Sequence, residues 1–294
     1  MKNPLQITFN SGRRLALAWL LPLALGVTTA DAQTELTGME KIRAAGYLKV
    51  AVYKDNAPFS NGPVSDMKGL DIDLAHALAK QMQLKLVLLP FDAGENMDDD
   101  LRNMVWKGHY LGYGPADVML HVPVDKHLMQ ENRQVLIFAP YMRQLPTLLH
   151  DTHTLPRVDS PDDLKGLKLA VERGTGNASV LLGYKGGALR SDVTILDNST
   201  QAVMAVVDGK AAGAYVMRSQ AEAILSHINP EAQHWALSSL FLTGLPAGGW
   251  PLGLAIKANA KELGQTLEQA FASLRSSGEL QAIFKQNGIT LTPP

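Results

Sequence analysis

The stretch Gly69-Leu70-Asp71-Ile72-Asp73-Leu74-Ala75-His76-Ala77-Leu78-Ala79-Lys80 decides how this chain is read. Leu70, Leu74, Ala77 and Leu78, then Met82, recur at three- and four-residue intervals, so the spacing predicts an amphipathic helix. Asp71 and Asp73 sit near its start, where carboxylates suit the positive helix end. Ahead of it Leu48 to Val52 predicts a strand, followed by the loop Asn56-Ala57-Pro58-Phe59-Ser60-Asn61. Behind it Leu84 to Leu89 predicts a second strand, stopped by Pro90.

The same alternation runs along the chain. Met39 to Ala45 reads as a short helix closed by Gly46, Asp98 to Lys107 as a helix, and Ala116 to Leu120 as a buried strand. Phe138-Ala139-Pro140-Tyr141 and Leu145 to His150 lead out of the first half, and Asp151 to Pro161 reads as a polar connector. A second series follows: strands at Leu167 to Val171, Val193 to Leu196, Ala212 to Val216 and His234 to Ser238, and helices at Ser199 to Val207 and Arg218 to His227. Gly174-Thr175-Gly176-Asn177 makes a turn into a helix. Gly244 to Pro251 breaks the pattern, and Leu252 to Ile256, Lys261 to Ser276 and Glu279 to Asn287 close the chain as strand, helix and helix. Strands alternating with helices give an α/β fold class.

Composition narrows the function. The 294 residues carry a net charge of −1 and are 46% apolar, which suits a globular protein with two modest domains. That charge gives no basic face with which to neutralise nucleic-acid phosphates. With no cysteine, disulfides, thiolate metal sites and cysteine nucleophiles are excluded. Lys2, Arg13 and Arg14, then the apolar run Leu15 to Val27, then Ala30-Asp31-Ala32, form the positive, apolar and small-residue regions of a signal peptide over 1–32. The apolar run is shorter than the about 20 residues a bilayer span needs. Export to the periplasm is the expectation.

Asp163-Leu164-Lys165-Gly166-Leu167-Lys168-Leu169-Ala170-Val171, followed by Gly174-Thr175-Gly176, joins the first stretch and its flanking strands in a combined pattern. Together they resemble the extracellular solute-binding proteins of family 3, receptors that feed polar amino-acid ABC transporters. The resemblance implies a type II periplasmic binding fold: two lobes, a ligand cleft between them, and hinge closure. It implies a discontinuous first lobe, 33–149 plus 248–294, and a second lobe, 150–247, with crossings near 147–152 and 242–251. It also implies a monomer without a cofactor.

Loops at strand C-termini and helix N-termini are the expected ligand contacts. Four groups qualify. The first is Tyr53, Asn56, Phe59 and Asn61, where Phe59 either stacks on a ligand or caps the core. The second is His121 and Asp125 in His-Val-Pro-Val-Asp-Lys-His, with Tyr141 further on. In amino-acid binders of the family this loop carries an arginine that clamps the ligand carboxylate. Here that position falls near Met129, and the clamp is missing. The third is Thr175 and Asn177, at a helix start where backbone N–H groups can bind an anion. Thr175 matches a family position that often touches the ligand carboxylate. The fourth is Arg218, which either faces the cleft or forms a surface salt bridge; the aspartate that pairs with a ligand ammonium has no counterpart around Ala212 and Gly213.

Of the eight histidines, His121 and His127 lie six apart and His150 and His153 three apart, but neither pair comes with a spaced carboxylate set, so no metal site is expected. No Gly-x-Ser-x-Gly elbow supports a serine nucleophile.

Three functions fit this reading. One is a periplasmic solute receptor delivering a small polar ligand to an inner-membrane ABC permease. A second follows from Pro58-Phe59-Ser60-Asn61, Asp117-Val118-Met119-Leu120-His121-Val122-Pro123, Pro140-Tyr141-Met142-Arg143 and Asn287-Gly288-Ile289. These resemble the family-3-like proteins associated with periplasmic quinoprotein (pyrroloquinoline-quinone) methanol and alcohol dehydrogenases, which implies an accessory or maturation partner. The third, a cyclohexadienyl-dehydratase-like enzyme, finds no acid–base pair in the sequence.

Overall fold

The computed structural model describes residues 38–228 and 234–294; the expected signal peptide lies outside the described residues. Two five-stranded sheets organise the chain. The first is built from β1 (Tyr47–Tyr53), β2 (Lys85–Phe91), β3 (Val118–Pro123), β4 (Val135–Gln144) and a late strand, Trp250–Lys257. The second holds β5 (Pro146–Asp151), β6 (Leu169–Glu172), β7 (Val193–Leu196), β8 (Gly213–Met217) and β9 (Trp235–Ser238), which makes the late strand β10. The orders are β2-β1-β3-β10-β4 and β7-β6-β8-β5-β9.

Parallel pairs β1/β2, β1/β3, β6/β7 and β6/β8 need helical crossovers, and the sequence supplies them. On the first sheet, after α1 (Gly38–Ala45) leads into β1, these are α2 (Leu70–Gln81) and α3 (Met97–Leu101), which runs into a π-helical turn over Arg102–Trp106. On the second sheet they are α5 (Gly176–Gly183) and α6 (Ser199–Val207), with α7 (Arg218–Leu225) following β8; α4 is a short helix, Lys126–Glu131, between β3 and β4. The closing helices α8 (Lys261–Ser276) and α9 (Glu279–Gln286) pack beside α2 on the first sheet. Leu70, Leu74 and Leu78 of α2, Leu267, Phe271 and Leu274 of α8 and Phe284 of α9 share one buried cluster. Fully burying each such side chain stabilises by roughly 1.5–3 kcal/mol. Among the described residues no helix is long and apolar enough to cross a membrane.

Gly69 explains why the opening stretch begins as it does. Its φ is +127°, and a Cβ there would lie 2.4 Å from the Phe59 carbonyl oxygen. The close approach lets the Leu70 and Asp71 amides donate to Pro58 and Phe59. The start of α2 is thereby tied to the loop that lines the cleft.

The departures from the sequence reading are local. β4 is one ten-residue strand through Pro140; it lies at the edge of the sheet, where a proline is tolerated, and a register shift against β10 with a positive φ at Ala139 (+48°) falls beside it. The segment after β3 continues into α4, capped by Asp125, where a loop was expected. β5 already pairs within the second sheet, so the chain leaves the first sheet at Leu145, a few residues before the 149/150 boundary.

Candidate functional site

The two connections between sheets run side by side. Trp250, at the start of β10, pairs with Gln144, at the end of β4. Gly249, just before it, has a φ of +63°, and a Cβ there would stand 1.8 Å from the Gln144 carbonyl oxygen. Only glycine allows the two connections to touch. Paired connections of this kind are where two-lobed folds bend.

Beside this hinge a cavity of about 220 Å³ opens between the sheets, and an outer cavity of about 330 Å³ shares Asn56, Glu172 and Gln220 with it. Strand ends supply the walls: Tyr53 from β1, His121 from β3, Glu172 from β6, and Tyr215 and Met217 from β8. In parallel sheets the carboxyl ends of strands converge with the N-termini of the following helices, and this cavity lies there.

His121 is held from behind. Its Nδ1 lies 3.0 Å from Asp71 Oδ2, its ring packs edge-on to Phe59 at 4.3 Å, and its backbone sits at φ +63°. Asp71 is 1% exposed, and its other oxygen accepts from the Tyr141 hydroxyl at 2.9 Å. Burial first, then the Asp71 carboxylate, pushes the Tyr141 hydroxyl well above the ordinary phenol value. A positive φ at a non-glycine residue is uncommon and concentrates at functional sites.

The hydroxyl groups along the inner cavity all point their protons elsewhere. Tyr53 donates to Asp100 at 2.7 Å, Tyr215 to the Leu240 carbonyl at 3.0 Å, and Thr175 to the Glu172 carbonyl at 2.9 Å. Burial drives the Tyr53 hydroxyl far above the phenol range and the Tyr215 hydroxyl up to about 12. Burial also raises Asp100 and Glu172; a hydrogen bond from the Gln220 side chain partly offsets the rise at Glu172. Asn177 is 3% exposed, and its Oδ1 has no hydrogen-bond partner.

Of the residues expected from sequence, Tyr53, Asn56, Phe59, His121, Thr175 and Asn177 line the inner cavity, and Asn61 lines the outer one. Three lie elsewhere. Tyr141 is buried in the first core behind Asp71, stacked on Phe271. Asp125 caps α4 through the Leu128 amide, and Arg218 pairs with Glu222 at 2.7 Å. Thr175 is on the wall, but its hydroxyl caps α5 by accepting from Ala178 and gives its proton to Glu172. It therefore has no proton to offer a carboxylate.

Tyr215, Val216 and Met217, the stretch leading to Arg218, also line the inner cavity. Sequence reasoning missed Met97, Gln144, Glu172, Gln220 and Trp250. Glu172 was findable as a residue at a strand end; Gln144 and Trp250 depended on recognising β4 and the paired connections.

The histidines close in sequence are apart in their contacts. His127 is exposed, 4.0 Å from Glu131. His150 is buried, bonded to the Leu155 carbonyl and the Ser238 hydroxyl. His153 instead stacks on His234 at 4.6 Å, beside Asp151.

No family model and no curated protein matches the chain. Solved structures do. An ancestral cationic amino acid solute-binding protein superposes with a TM-score of 0.66 at 21% identity, covering 85% of this chain and 99% of its own. An amino acid ABC transporter substrate-binding protein from Streptococcus pneumoniae, bound to L-arginine, gives 0.59 at 20% identity over 86% and 98%. A second structure of the ancestral protein, described as a precursor of cyclohexadienyl dehydratase, gives 0.56 at 21% over 85% and 99%. The chain has the two-lobed α/β fold of the type II periplasmic binding proteins, and its structural neighbours are amino-acid-binding proteins of that fold.

Proposed function

We propose that this protein is a periplasmic solute receptor that captures a small ligand between its lobes by hinge closure and delivers it to an inner-membrane ABC permease. The observation that carries this reading is the cavity beside two paired connections, walled by residues of both sheets. Its volume, below the about 300 Å³ at which drug-sized sites begin, suits a small metabolite. The ligand is bound and released without chemistry, so no turnover of prephenate or arogenate is expected. The test is native mass spectrometry of protein purified gently from the periplasm. A small-molecule adduct released by denaturation supports the receptor. Protein that is empty, and remains so with added solutes, overturns it.

One observation favours a second reading, the accessory partner of a quinoprotein alcohol dehydrogenase. The loop after the π-turn carries Tyr110 and Leu111 at 88% and 67% exposure, an apolar tip of the kind that docks to proteins. A retained quinoprotein in the same spectra, lost in Tyr110→Ser/Leu111→Ser, supports it; a protein that never retains one refutes it.

A further inference from the structure

We propose that the cleft selects a compact organic amine or guanidinium through its cationic group and requires no carboxylate on the ligand. The proposal rests on the receptor reading of the cleft. Among the described residues lining the two cavities there is no lysine or arginine, whereas Glu172 lines both and Asp55 the outer one. Nothing there forms the charge-assisted clamp that a carboxylate needs. The hydroxyl groups of the inner cavity are engaged, as described for Tyr53, Thr175 and Tyr215. What remains is acceptor-rich. Glu172 accepts in its ionised form, and the side-chain carbonyls of Asn56, Gln144 and Gln220 line the same cavity. Tyr53 and Trp250 also line the inner cavity, and aromatic rings attract cations. A site of acceptors, one carboxylate and aromatic rings complements a multi-donor cation.

The test is calorimetric titration of the mature protein with agmatine, putrescine, arginine and succinate. Agmatine is arginine without its carboxylate. Agmatine or putrescine binding at least as tightly as arginine, and at least 30-fold weaker in Glu172→Gln, is the expected result, with Arg218→Gln within twofold of the parent. Arginine binding more than tenfold tighter than agmatine, or succinate binding, overturns the cation preference while leaving the receptor reading standing. Failure of all four, in a protein whose purified form carries another small-molecule adduct, overturns the proposal alone; failure with no adduct overturns both.

A separate observation points to a metal site at the edge of the second sheet. Asp151 Oδ1 lies 3.6 Å from His234 Nε2 and 3.9 Å from His153 Nδ1, and the three donor atoms all fall within 4.8 Å of one another. Donors about 2.1 Å from a tetrahedral zinc stand about 3.4 Å apart; the imidazoles, stacked at 4.6 Å, would turn out of the stack to aim both lone pairs at one ion. The carboxylate is oriented by the His153 amide and the Thr154 hydroxyl, and the Thr152 amide and hydroxyl hold the backbone of His234. We infer that these two imidazoles and one carboxylate bind a borderline divalent ion such as Zn²⁺, with water completing the set. Untagged, metal-stripped protein titrated with ZnCl₂ should bind one equivalent, at least 30-fold weaker in His153→Ala/His234→Ala, and should give a tetrahedral Co²⁺ absorption spectrum that the double variant lacks. No uptake, or uptake unchanged in the double variant, overturns this site.

Discussion

Asp71→Ala tests how the cleft wall is supported. The carboxylate is buried and accepts from Tyr141 at 2.9 Å and from His121 at 3.0 Å. Hydrogen bonds to a charged group contribute about 1.5–3 kcal/mol each, so the gross loss is roughly 3–6 kcal/mol. Relief from burying the carboxylate offsets part of this, leaving a net loss of about 3 kcal/mol. With a urea m-value of about 3 kcal/mol/M, the midpoint falls by about 1 M. Tyr141→Phe keeps the carboxylate and its histidine partner, and its expected loss is about 1–2 kcal/mol. The double variant should be less destabilised than the sum of the singles by about 1–2 kcal/mol, because both remove the same bond. Equilibrium urea unfolding followed by tryptophan fluorescence measures all three. A loss below about 0.5 kcal/mol in Asp71→Ala, or strict additivity, would refute the reasoning.

Burial raises Glu172 above its ordinary value of about 4.3, so its ionised form is disfavoured in the folded protein. The stability it contributes is present below the unfolded-state value and is lost as pH rises through the folded-state value. Glu172→Gln should therefore raise the ligand-free melting temperature at pH 7 and lose that advantage below about pH 4, as read by thermal scans. Cation affinity should fall, as pH drops, from a higher pH than for an unperturbed glutamate; calorimetry with agmatine across pH 4–8 checks this. Thr175→Val removes the cap of α5 and should cost about 1 kcal/mol in urea unfolding while changing affinity less than threefold, since its proton faces the Glu172 carbonyl. Gly69→Ala forces a Cβ against the Phe59 carbonyl at positive φ and should cost at least about 2 kcal/mol; a loss under 0.5 would show that the loop is free to shift.

Much of the scaffold was legible because it depends on local pattern. The 3.6-residue period of Leu70, Leu74 and Leu78 marked α2, and periodicity likewise marked the runs at Ser199–Val207 and Lys261–Ser276. β4 was not legible, because Pro140 is a breaker tolerated only at a sheet edge, and that edge is set by pairing with a strand about a hundred residues later. The candidate wall positions were partly legible, as Tyr53, His121 and Asn177 follow strand ends. What each side chain has left to offer was not. The Tyr53 proton goes to Asp100 and the Tyr215 proton to Leu240, partners distant in sequence, so only the folded arrangement turns a hydroxyl-rich list into an acceptor-rich cleft.

The most direct test of the account is the distance between lobes on ligand addition. The chain has no cysteine, so Lys80→Cys on α2 and Lys210→Cys beside β8 place one spin label on each lobe of the otherwise native protein. Pulsed electron–electron resonance should give a distance distribution that shifts and narrows when the ligand identified by native mass spectrometry is added to saturation. A distribution that stays unchanged, while calorimetry shows the cleft filled, would contradict capture by lobe closure.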